Sequence, residues 1–122
     1  MPTSPTPAKT PRVAFQRALT ALGLQREVDY RITVRRGVRS HGAEAGPGVE
    51  VTDVELRTPR ARLAVAEGLE AFAARVAADG GHVARFRAYE RGDLAISTQY
   101  GSTSPREEYW LAEVLRIARA AA

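Results

Sequence analysis

Residues 27–35, EVDYRITVR, alternate without interruption between apolar and polar side chains. Val28, Tyr30, Ile32 and Val34 face one way; Glu27, Asp29, Arg31, Thr33 and Arg35 face the other. A period of two belongs to an extended strand, whose successive side chains point to opposite faces of a sheet. With one side apolar and the other charged, the sheet should be covered on one face and wet on the other.

Partners for that strand are legible in the rest of the chain. After a glycine-containing loop over 36–48, VEVTDVELR (49–57) reads as a second strand. Its apolar phase slips: Val49 and Val51 share one side, Val54 and Leu56 the other, which predicts a bulge near Thr52 and Asp53. HVARFRAYE (82–90) sets Ala84, Phe86 and Ala88 on one face, and the turn RGD leads into LAISTQY (94–100), where Leu94, Ile96 and Tyr100 share a face. Three other segments have helical spacing. Phe15, Leu19 and Leu22 line one side of 11–24, with Gly23 as terminator. Leu63, Ala66, Leu69, Phe72 and Val76 line a long helix over 59–79 that ends at DGG, and Leu111, Val114, Leu115 and Ala118 line 105–120.

The order is α-ββ-α-ββ-α, which predicts an α+β fold: one domain with a four-stranded, mainly antiparallel sheet and its helices packed on one face. At 122 residues the chain has the length of a single domain. Residues 11–122 form that domain, and the Pro-, Thr- and Ser-rich residues 1–10 read as a disordered arm. No apolar run approaches the ~20 residues of a membrane span. With no cysteine in the sequence, a cytoplasmic setting is expected.

A tripeptide recurs at the helix starts: Thr10, Pro11 and Arg12; Thr58, Pro59 and Arg60; Ser104, Pro105 and Arg106. Thr or Ser caps the first unpaired N–H groups, and Pro suits the first helical position. Ser104 and Glu107 also have capping-box spacing. Arginine in the first turn opposes the helix dipole, so each of these arginines is expected to reach a carboxylate or solvent. Thr58 and Ser104 each precede Ala, Glu and Leu at equal offsets (Ala66, Glu67, Leu69; Ala112, Glu113, Leu115), as two duplicated ββα units would.

Chemistry-bearing groups are sparse. His41 and His82 have no metal-ligand spacing, so no metal site, cofactor or catalytic residue is expected. Asp53 and Glu55 are spaced like the acids of metal-dependent nucleases. The only lysine, Lys9, lies in the arm, so pairing to arginines on a neighbouring strand is the expected role. The formal net charge of +4 is almost all arginine. Arg31, Arg35, Arg85, Arg87 and Tyr89 should share the outer sheet face with Thr33, Ser97 and Gln99, beside Arg36 and Arg39 of the first hairpin. This is a candidate surface for an anionic partner such as nucleic acid. The last helix carries a second stripe, Trp110, Val114 and Ile117 with Tyr109 alongside, and Tyr109, Trp110 and Ile117 are candidate interface residues.

The element order is similar to that of small dimeric chaperones for secreted effectors, which bind extended partner segments. Those proteins usually have an additional strand and are acidic. The expectation is a small non-enzymatic interaction module, homodimeric, chaperone- or adaptor-like, that binds a protein through its sheet face or last helix. The alternatives are a nucleic-acid-binding domain and an enzyme of unspecified type.

Overall fold

The computed structural model describes residues 6–36, 50–98 and 105–121, and for 105–108 the backbone alone. Helix α1 (Pro11–Ala21) begins as its cap chemistry dictates, the Thr10 hydroxyl accepting from the Val13 N–H. It ends in a Schellman turn: Gly23, at φ +79°, donates to the Thr20 carbonyl and Leu24 to that of Leu19. Leu24 is thereby buried, while Leu22, expected in the core, is 42% exposed.

The strands are β1 (Tyr30–Arg36), β2 (Glu50–Leu56), β3 (Arg85–Ala88) and β4 (Leu94–Ser97), in one sheet of order β1-β2-β4-β3 with every neighbouring pair antiparallel. β1 pairs with β2 continuously from Tyr30↔Leu56 to Arg36↔Glu50, so the expected bulge at Thr52 and Asp53 is absent from that ladder. The phase slip has another cause: Val51 and Thr52 are both buried although they lie on opposite faces of the strand. β1 also starts later than its alternation indicates, at Tyr30. Residues 25–29 form a turn in which Glu27 takes a left-handed φ of +67°, Val28 is 58% exposed and Asp29 is buried.

The helix expected over 59–79 is two helices, α2 (Pro59–Ala66) and α3 (Leu69–Ala78), separated at Glu67 and Gly68. Glycine is a poor helix former, and here the break lets each half serve a different neighbour. α2 packs against α4 (Pro105–Ala121) and α3 against α1. The apolar stripe shifts accordingly: Ala61, Val65 and Ala66 are buried in α2, Phe72 and Val76 in α3.

The even-numbered strand residues Tyr30, Val54, Leu56, Ala88, Leu94 and Ile96 meet Phe15, Leu19, Val65, Phe72, Val76 and Val114 in one core, with Ile32 and Phe86 at its margin. The helices therefore cover one face of an α+β domain, and the odd-numbered strand residues, Val51 and Ser97 excepted, form an open face. Of the residues assigned by composition to a disordered arm, 6–10 are held against the domain. Ala8 is buried, its N–H donates to Asp79, its carbonyl contacts His82 Nε2 at 2.7 Å, and Arg17 bonds both Asp79 and the Thr6 carbonyl. No helix among the described residues is long and apolar enough to cross a membrane.

Candidate functional site

The register assembles the open face row by row. Arg31, Glu55, Ala95 and Arg87 lie side by side across the four strands; Thr33, Asp53, Ser97 and Arg85 form the next row. Arg31, Arg35, Arg85 and Arg87 thus share this face, whereas Arg36, at an even position, lies on the other; all five are exposed. The face differs in sign from a simple basic platform. Asp53 and Glu55 occupy the second column, and a third column of small side chains, Ala95 and Ser97, separates them from the β3 arginines. Arg35 bonds Asp53 through both Nε (2.9 Å) and Nη2 (2.5 Å), Arg36 bonds Glu50 at 3.0 Å, and Arg31 bonds Glu27 at 3.2 Å. The pairing of Asp53 to an arginine on the neighbouring strand is the role the sequence assigned to it.

A cleft of about 540 Å³ opens at one end of this face. It lies where the β2–β4 pairing ends, at Glu55↔Ala95. Just beyond, the Leu56 carbonyl accepts from Arg62 Nη1 at 3.1 Å, and Arg62 Nε is buried with no hydrogen-bond partner. Glu55, Ala95, Arg57 and Tyr89 line the opening, and Arg91 closes the rim, ion-paired to Asp93 with its guanidinium 5.3 Å from the centre of the Tyr89 ring. Arg57 and Arg62, which the sequence did not single out, reach the cleft because they flank the helix start at Thr58. Arg39, Gln99 and Tyr100 lie outside the described residues, as do His41 and Ser104.

The candidate interface on α4 is divided. Trp110, Leu111 and Leu115 pack against the core, and Ile117 lies over Gly92 in the β3–β4 turn. Tyr109 stands out at 66% exposure. The wide apolar arc is largely used because α4 has two neighbours, α2 and β3.

Among the described residues, the most densely hydrogen-bonded carboxylate lies away from this face. Asp29, 1% exposed, accepts from Arg60 Nε (2.9 Å) and Nη2 (2.6 Å), from the Thr58 hydroxyl (2.7 Å) and from the Gln25 N–H (2.8 Å). The Arg60 fork, above all, holds this carboxyl far below the usual carboxylate range, against the opposing effect of burial. Arg60, whose place in the first helical turn the dipole disfavours, thus reaches a carboxylate as expected. Among the described residues no group of three or more His, Asp or Glu is placed to hold a metal ion. No protein-family model, curated protein or solved structure matches the chain.

Proposed function

We propose that this domain is an interaction module, non-enzymatic and chaperone- or adaptor-like, that binds another protein or a second copy of itself through the open face of its sheet. One observation supports the reading: on the open face Arg35 of β1 is ion-paired to Asp53 of β2, and Asp53, Glu55 and Ala95 line a cleft that arginines and acids share. A surface of interleaved sign over a concavity suits a protein partner, whose own charges are mixed. A phosphate backbone is answered better by cations without internal partners. The cysteine-free sequence suits the reducing cytoplasm.

The test compares two kinds of ligand. Ala95→Arg fills the small-residue column and should abolish retention of a partner captured from source-cell extract, whereas Tyr109→Ala should leave it unchanged. Sedimentation of the wild-type chain shows whether that partner is a second copy. The reading fails if the chain instead binds DNA or RNA with an affinity that falls steeply with salt and is weakened by Arg85→Ala and Arg87→Ala.

A further inference from the structure

β1 is an outermost strand of the sheet, and among the described residues no strand pairs with its outer backbone edge beyond the Arg26–Tyr30 bridge. The ladder shows which groups look outward. The Arg57 N–H donates to the Asp29 carbonyl at 2.7 Å, in register with the β1–β2 pairs. Residues of an antiparallel strand alternate between bonding the neighbour and turning away from it. The odd-numbered residues of β1 therefore bond β2, and Ile32 and Val34 turn their N–H and C=O groups outward. One end of this edge is closed by the chain itself: the Tyr30 carbonyl accepts from the Glu27 N–H at 2.7 Å, and Arg26 bridges to Tyr30. Ile32 is half-buried, and from Thr33 onward the strand is exposed, Val34 at 37%. The opposite edge strand, β3, has four residues and α4 packed against it.

We infer that the β1 edge receives an extended acidic segment of a partner protein as a fifth strand. The chemistry of that segment follows from β2, which already fits the other side of β1. β1 carries three arginines and no acid. β2 answers with Asp53 on Arg35 and Glu50 on Arg36, and sets Val54 opposite Ile32. A strand on the outer side meets the same two rows. It needs carboxylates at alternate positions toward Arg31 and Arg35 on the open face, and apolar side chains between them against Ile32 and Val34. Opposite charges across a strand pair are favourable, and like charges are not. A second copy fits less well, because antiparallel β1–β1 pairing centred on Thr33 sets Arg31 of each copy against Arg35 of the other.

This inference rests on the interaction-module reading but uses the strand edge rather than the sheet face. The probe is a capped peptide with the β2 sequence EVTDVEL, added to the full chain; the control peptide has lysine at its three acidic positions. The acidic peptide should bind saturably and slow hydrogen exchange at the Ile32 and Val34 amides, and the lysine peptide should do neither. Arg35→Glu should weaken binding about tenfold. Val34→Pro should abolish it while keeping the β1–β2 ladder, because the N–H it removes is not used there. Equal binding of both peptides, or unchanged exchange at Ile32 and Val34, overturns the proposal. So does protection of those amides in the chain alone that is lost on dilution, since a second copy would then hold the edge. A captured partner lost with Ala95→Arg but indifferent to Val34→Pro would leave the module reading standing and overturn the edge site.

Discussion

Asp29 shows what one buried carboxylate can organise. Its four hydrogen bonds join the turn after α1 to the start of α2, and Thr58 serves both ends at once, accepting from the Ala61 N–H and donating to Asp29. Replacing Asp29 by Ala strands a buried N–H, a hydroxyl and a guanidinium fork; the expected loss is about 2–3 kcal/mol, read from urea unfolding. The pH dependence has a definite sign. The folded-state pKa is depressed below the unfolded value of 3.8, so this contribution is fully present above that value and is lost as pH falls below it. Stability between pH 5 and pH 3 should therefore fall more steeply in the wild type than in Asp29→Asn. Two caps can be compared in the same way. Thr10→Ala should cost about 1 kcal/mol as an ordinary N-cap, and Thr58→Ala distinctly more, because it also removes a bond to Asp29. Equal losses would show that the Thr58–Asp29 bond contributes nothing. From the sequence, Thr58 is legible as a cap and Arg60 as a residue in need of a carboxylate. Its partner is not legible, because Asp29 lies 31 positions away inside a stretch whose alternation disguises a turn as strand.

At the level of elements, periodicity located the four strands and the helical stretches but merged α2 with α3 and misjudged where elements end, since ends are set by tertiary demands that local pattern does not record. The unbroken spacing over 59–79 conceals a change of partner, from α4 to α1, that a single straight helix could not serve. The apparent bulge in β2 arises in the same way. A strand buried locally on both faces mimics a slip in register, although the pairing of Asp53 to an arginine of the neighbouring strand was legible all the same. The β3–β4 turn was legible from Gly92, although its second constraint was not. Gly92 sits at φ +95°, and a Cβ there would meet Ile117 Cδ1 at 2.8 Å. Gly92→Ala should cost about 2 kcal/mol from backbone strain and overlap combined. In a double-mutant cycle with Ile117→Ala the two losses should be less than additive, because trimming Ile117 relieves the overlap and leaves only the strain. Strict additivity would mean that α4 does not bear on the turn.

In the whole molecule, the two hairpins and the helices that follow them are arranged alike. Each hairpin pairs internally, β2 meets β4, and α2 meets α4; the likeness stops there, because α4 also packs on β3 whereas α2 has no comparable contact with β1. The equal offsets after Thr58 and Ser104 do not extend into the fold, since Glu67 and Leu69 fall at the α2–α3 break and Glu113 and Leu115 inside α4. The sheet has a division of labour between faces that was legible in the alternation of residues 27–35. One face holds the aromatic cluster, Phe72 lying 6.4 Å from Phe15 and 5.8 Å from Phe86 between ring centres; the other holds exposed charge. Exposed ion pairs contribute little to folding and are screened by salt, whereas a buried ring contributes through area and packing. The two faces should therefore be separable by mutation. Replacing Arg31, Arg35, Arg85 and Arg87 together by Ala should lower stability less than Phe72→Ala alone, which should cost about 3–5 kcal/mol. The melting temperature of the wild type should also change little between low and high salt. A fourfold variant that fails to fold would place the arginine face among the determinants of the fold, and the face could not then be read as a surface kept for a partner.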